Sequence, residues 1–196
     1  KKAGPPVHDD LCAYRDTHGV VRHSFQAERA NELWLIDITE HPTREGKLYL
    51  CAIKDAFSKR IVGYSMGSTM KASLAVAALE HAVLMRPGST GCVVHSDRGS
   101  QFRSRKFRRA LTRHHLVGSM GRVGGAGDNA AMESFFALLQ KNVLNQGVWD
   151  TRDQLRTAIT YWIERTYHRR RRQVGLGKLT PIEYETIMSP AAPIAA

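Results

Sequence analysis

The apolar positions of this chain fall first in short blocks and later at helical spacing. Leu33-Trp34-Leu35-Ile36-Asp37-Ile38 is apolar on both faces except for one aspartate, the pattern of a strand buried on both sides. A turn-like segment, His41 to Gly46, leads into Leu48-Tyr49-Leu50-Cys51-Ala52-Ile53. Lys54 to Arg60 reads as a connection, and Arg60-Ile61-Val62-Gly63-Tyr64-Ser65-Met66 is a third run, so the three predict a meander. Met70 to Arg86 is rich in Ala and Leu, with Ser68 or Thr69 as N-cap and Pro87-Gly88 as a stop, which predicts a helix. Cys92 to His95 is a short buried strand. Ser104 caps a helix in which Phe107, Ala110, Leu111 and His114 recur at i, i+3, i+4 and i+7, and Leu116 to Ser119 supplies a fifth strand.

Four glycines between Gly121 and Gly127 predict a flexible loop. Asp128 or Asn129 then caps a helix running through Glu133, Phe135, Phe136, Leu138 and Leu139 to about Asn145. Thr151 and Gln154 form a capping box for a helix from Arg152 to about Tyr167, with Leu155, Ile159 and Trp162 on one stripe. Thr180-Pro181-Ile182-Glu183 is a second capping box, for a short helix to about Met188. Strands first, then strands alternating with helices, imply an α/β domain: a mixed five-stranded sheet with helices on both faces, plus C-terminal helices. The expected divisions are a linker or N-terminal arm over 1–30, a core over 31–147, and a helical extension with a basic run over 148–196.

Composition adds a partner. Of 196 residues, 29 are Lys or Arg and 18 Asp or Glu, a net +11 that favours a polyanion, nucleic acid before an anionic membrane surface. No apolar run is long enough to span a membrane and the Lys-Lys start lacks the apolar stretch of a signal peptide, so a cytoplasmic protein is expected. Cys12, Cys51 and Cys92 form no even set and no Cys-x-x-Cys pair, which predicts reduced, buried thiols. His114-His115 has no zinc partner at finger spacing and is read as structural or DNA-facing.

Three carboxylates carry the candidate chemistry. Asp37 interrupts a strand built for burial, where an ionised group is costly unless a cation or donors meet it. Asp97 lies just beyond the strand ending at His95, where mixed sheets place ligand-binding groups. Glu133 stands about one turn into its helix. Convergent carboxylates suit magnesium, and two such ions activate an attacking oxygen and stabilise the leaving one in an in-line displacement. From Arg98 to Gly127 there are eight Lys or Arg and no Asp or Glu, a field that attracts phosphates. Asp55 is a reserve carboxylate that also suits a turn, and Asp128 is most simply an N-cap. His95, Ser96 and Asp97 do not form a hydrolase triad, because neighbours in an extended segment point to opposite faces.

These residues resemble a known family: the integrase-like catalytic domain of bacterial insertion-sequence transposases of the IS-three family, relatives of retroviral integrases. The resemblance rests on Trp34 to Thr39 around Asp37, on His95-Ser96-Asp97-Arg98-Gly99-Ser100-Gln101-Phe102, and on Asp128-Asn129-Ala130-Ala131-Met132-Glu133-Ser134-Phe135-Phe136. With 59 residues between the aspartates and 35 between Asp97 and Glu133, the spacing is the D,D-35-E pattern. The block Asp55 to Gly63 and the tail Tyr167 to Glu183 extend the likeness to about residues 30–188. The family implies a ribonuclease-H-like fold, magnesium or manganese held by Asp37, Asp97 and Glu133, and DNA cleavage and strand transfer at terminal inverted repeats. There water first attacks the element's end, and the freed 3′ hydroxyl then attacks target DNA. It also implies a homo-oligomer on paired ends, an upstream helix-turn-helix region or partner protein of the element, and a bacterial, nucleoid-associated location.

Family members often carry Lys or Arg seven residues after the glutamate, where this chain has Gln140, with Lys141 one place off. Expected DNA contacts are Arg98, Arg103, Arg105, Lys106, Arg122, Lys141 and the run Arg169, Arg170, Arg171, Arg172. Two other readings fit the same residues: a ribonuclease-H-like nuclease that cuts without joining, and an inactive DNA-binding or assembly module.

Overall fold

The computed structural model describes residues 4–121 and 130–188. β1 (Ala13–Arg15) and β2 (Val21–His23) form a separate hairpin. β3 (Leu33–Thr43), β4 (Gly46–Asp55) and β5 (Ile61–Gly67) form the expected antiparallel meander, and β6 (Val93–Ser96) and β7 (Val117–Met120) continue the sheet in parallel, in the order β5-β4-β3-β6-β7. The helices are α1 (Ala72–Met85), α2 (Arg105–Arg113), α3 (Ala130–Asn142), α4 (Arg152–Tyr161) and α5 (Pro181–Met188).

Side chains of a strand alternate between its faces, so a strand apolar throughout needs a layer on each side. Trp34 and Ile36 face one core, closed by Leu74, Ala78 and Leu79 of α1 and Phe107 and Leu111 of α2. Leu33 and Leu35 face the other, closed by Met132, Phe135 and Leu139 of α3 and Leu155 and Ile159 of α4. Trp34, Leu35 and Ile36 are fully buried, each contributing roughly 2–3 kcal/mol of apolar burial. Gly63 sets how closely α1 lies on β5: a Cβ there would stand 2.5 Å from the Ala78 carbonyl oxygen and 2.6 Å from the Ala82 nitrogen.

Several expectations need correction. Within the segment expected as a linker or N-terminal arm, β1 and β2 fold as a hairpin and the described residues before them run along β7, with Met120 N–H donating to the Asp9 carbonyl and Leu11 N–H to Ser119 Oγ. β3 does not stop at Ile38: it continues through His41 and Pro42 to a tight turn at Thr43–Gly46, because both strands of the hairpin keep a shared register to the end. Lys54 and Asp55 belong to β4 and not to the connection after it. The N-cap of α1 is Lys71, without a side-chain bond, and neither Ser68 nor Thr69, since β5 runs to Gly67 and the chain must turn before the helix starts. The helix expected over 152–167 is α-helical only to Tyr161 and then becomes a π-helical turn, Trp162–Tyr167, whose Trp162 and Tyr167 rings pack around Phe135. Both capping boxes form, at Thr151–Gln154 and Thr180–Glu183. The glycine loop and the Asp128 or Asn129 cap lie outside the described residues.

Candidate active site

Asp37 continues the row Leu33, Leu35 on the α3 face of the sheet, opposite Ala52 of β4. β6 runs parallel to β3 with Leu33 beside Val93 and Leu35 beside His95. Asp97 follows the end of β6 at Ser96, close enough for its charge to act on Asp37. Glu133 stands in the exposed first turn of α3, next to the buried Met132 that ties the helix to the same face. The helix N-terminus carries partial positive charge, which favours a carboxylate there.

The three groups feel one another. The Asp37 carboxyl is pushed up to about 7, by burial first and then by the negative charges of Asp97 and Glu133, against a lowering hydrogen bond from Ile38 N–H to its Oδ1 at 2.7 Å. Asp97 is exposed, and its Oδ1 accepts the Gly99 N–H at 2.9 Å. A Cβ on Gly99 would stand 2.9 Å from that oxygen, so glycine leaves room for the carboxylate. None of the three carboxylates is ion-paired to another described residue. Among the described residues no group of three acidic, His or Cys side chains is close enough to hold an ion. The donor set nevertheless fits a hard divalent cation, because it is all oxygen, unneutralised and mutually repelling, and a cation would relieve that repulsion.

Residues 27–126 match the integrase core domain family, and residues 116–181 match a second integrase core domain description. The chain belongs to the integrase core domain family. It is 36% identical over 166 residues to the transposase for insertion sequence element IS904 of Lactococcus lactis, covering 85% of this chain and 66% of that protein. It is also 36% identical over 169 residues to transposase InsF for insertion sequence IS3A of Escherichia coli K12, covering 86% of this chain and 59% of that protein. This integrase core domain thus spans 59–66% of the length of these relatives. In fold it is similar to a chain of the simian T-cell lymphotropic virus intasome in complex with PP2A regulatory subunit B56 gamma. That match has a TM-score of 0.67 at 18% identity, over 99% of this chain and 64% of the other. It is similar too to the HTLV-2 integrase catalytic core domain in complex with magnesium (trimeric form), with TM-score 0.60 and 18% identity over 80% and 97%. The expected ribonuclease-H-like architecture is therefore the observed one.

The cationic residues of this integrase core domain divide into free and engaged groups. Arg105 and Lys106 open α2, exposed, with no acidic residue in the first turn, and with Arg108 and Arg109 they make no ion pair among the described residues. Cations at the positive end of a helix repel the helix dipole, and an anion bound there would relieve both. Arg113 is paired with Glu80 at 3.0 Å. Arg98 Nε donates to the Gly121 carbonyl at 2.9 Å, bracing the Asp97 loop against the end of β7. Arg103 is half-buried beneath Gly4, where a Cβ would stand 2.0 Å from its Nη1, so it serves packing. In the basic run, Arg169 and Arg170 are exposed, Arg171 is half-buried, and Arg172 reaches the Lys178 carbonyl at 3.4 Å and Glu183 at 3.7 Å. Lys141 is exposed in the last turn of α3. Gln140 bonds Asn145 Oδ1 at 2.5 Å and lines a cleft of about 410 Å³ with His41, Arg44 and Trp149. Arg122 lies outside the described residues.

The remaining candidates are structural. The buried Asp55 accepts backbone N–H groups from Asn31, Phe57 and Ser58, closing the β4–β5 turn. His114 pairs with Glu80 at 2.9 Å, and the three cysteines are free and buried. His95 reaches Ser119 Oγ at 2.9 Å and packs on Phe25, away from any triad with Asp97. One residue was missed: Lys54, buried at 5% exposure, whose Nζ donates to the Ala131 carbonyl at 2.9 Å. Its signal was a lone charge ending an apolar strand, as with Asp37, but at a strand end it looked like a turn residue.

Proposed function

We propose that this integrase core domain is the catalytic part of a DNA transposase, cutting and joining DNA by phosphoryl transfer at the ends of an insertion sequence. The observation that carries the reading is the Asp37 carboxyl in the middle of β3, raised to about 7 by burial first and then by the negative charges of Asp97 and Glu133. Asp37, Asp97 and Glu133 would hold magnesium or manganese. The bound ions would activate the attacking oxygen and stabilise the leaving one.

The protein's own residues do the rest. Ile38 N–H and Gly99 N–H orient the two aspartates and leave each a second oxygen for a ligand. α3 presents Glu133 from a helix anchored by Met132, Phe135 and Leu139. Arg105, Lys106, Lys141, Arg169 and Arg170 are exposed cations suited to phosphates, whereas Arg98 and Arg103 act by bracing the loop and the arm. The partners in this reading are terminal inverted repeats, target DNA, further copies of the protein on paired ends, and an upstream helix-turn-helix region, in a bacterial cytoplasm. Among the described residues no helix is long and apolar enough to cross a membrane. We read the catalytic core as residues 31–147 and the helical extension as 148–196. For a nuclease of the ribonuclease H kind, Asp55 is disfavoured as a fourth carboxylate because it is occupied in a turn, and Asp128 lies outside the described residues.

The test is cleavage and strand transfer of a labelled element end in magnesium or manganese, with wild type, Asp97→Asn and Glu133→Gln. Joined products lost in both variants, with DNA binding retained, support the reading. Cleavage without joining by wild type favours a nuclease. Binding with neither, also in the full-length protein, leaves a DNA-binding module.

A further inference from the structure

The next-to-last residue of β4 is a lysine that follows the buried apolar run Leu50 to Ile53. Lys54 is 5% exposed, opposite Leu35, on the face that receives α3. Burying an amine costs several kcal/mol unless it is partnered. Its position is unfavourable twice over, since it sits by the N-terminal end of a helix, where the dipole repels a cation. Burial, with Lys59 nearby, holds the amine down at about 8. Its hydrogen-bond acceptor is the Ala131 carbonyl at 2.9 Å, in the first turn of α3 and two residues before Glu133. A charge kept at such cost against two local rules marks a position selected for something other than stability.

We infer that Lys54 is a positioning residue: by clamping the Ala131 carbonyl to β4 it fixes the first turn of α3, and with it the placement of Glu133 against Asp37 and Asp97. The inference rests on Glu133 being a metal ligand, as proposed above. Met132, Phe135 and Leu139 hold the helix on the sheet, but apolar contacts tolerate sliding and rotation that a directional bond does not. The Ala131 oxygen is also the helical acceptor for Phe135 N–H. Lys54 therefore ties strand and helix at one atom.

The experiment measures Mn²⁺ binding by the loss of the free-ion paramagnetic resonance signal, and amide hydrogen exchange over residues 133–136, in wild type, Lys54→Met, Lys54→Gln and Lys54→Arg of the full chain. Lys54→Met and Lys54→Gln should weaken Mn²⁺ binding about tenfold or more and speed exchange at Phe135 about tenfold. Lys54→Arg, which keeps a donor, should recover part of both. Removing a cation near three carboxylates would by electrostatics alone tighten Mn²⁺ binding, so tightening overturns the proposal. A lower melting temperature with unchanged Mn²⁺ affinity and α3 exchange also overturns it, because Lys54 would then be only a core residue. If Lys54→Met does not fold, the milder Lys54→Gln decides by the same two readings. Wild type binding no Mn²⁺, or binding it equally after Asp97→Asn, refutes the metal-site reading instead, and the exchange data still report whether the clamp exists.

Discussion

Replacing Asp37 by Asn should make the metal-free protein more stable above neutral pH. The ordinary value of this carboxyl is 3.8, and in the fold it is raised to about 7, by burial and then by Asp97 and Glu133. A raised value for an acid means that ionisation is harder in the folded chain than in the unfolded one. As far as this group is concerned, stability is fully present below about pH 4, falls as the pH rises toward 7, and is flat above that. Three pH units correspond to about 4 kcal/mol at 1.36 kcal/mol per unit. Asp97 and Glu133 are open to water, and screening on that side reduces the expected gain to about 2 kcal/mol. Asn keeps an acceptor for the Ile38 N–H, so no hydrogen bond is lost. The assay is urea unfolding followed by tryptophan fluorescence at pH 5 and pH 8 in a chelator. The advantage of Asp37→Asn should be small at pH 5, about 2 kcal/mol at pH 8, and reversed by saturating magnesium, which stabilises only the protein that binds it. A variant no more stable than wild type at pH 8, or an advantage independent of pH, would refute the reasoning.

Three other perturbations test the frame. Gly63→Val places a side chain 2.5 Å from the Ala78 carbonyl and must push α1 off β5, which should cost about 3 kcal/mol or more, read as a lowered melting temperature; an unchanged melt would mean that the close approach is not required. Glu185 is buried and accepts from Ser58 Oγ at 2.6 Å, Arg60 at 2.9 Å and Arg86, so Glu185→Ala leaves two arginines uncompensated and should cost about 3–5 kcal/mol in chemical denaturation. A loss below about 1 kcal/mol would show that α5 is held by packing alone. Arg105→Gln with Lys106→Gln should weaken binding to any DNA sequence and flatten the dependence of log affinity on log salt by about two, measured by fluorescence anisotropy; an unchanged slope would remove α2 from the DNA path.

Apolar runs and helix caps were legible because they are local. A strand apolar on both faces, such as Leu33 to Ile38, must lie between two layers, and a capping box such as Thr151–Gln154 involves residues three apart, so neither needed the fold to be recognised. Asp37, Asp97 and Glu133 stood out as candidates because each broke or ended such a pattern, and because their spacing matched a known family. Tertiary structure alone decided the rest. The parallel pairing of β3 and β6 brings the charge of Asp97 to act on Asp37 although 59 residues intervene. The same distant packing half-buried Arg103, closed a turn over Asp55 and carried Lys54 under α3. Local pattern states what a residue's backbone will do. Whether its charge meets water, a carbonyl or another charge depends on segments far along the chain, because electrostatic and hydrogen-bond energies are set by the environment that those segments supply.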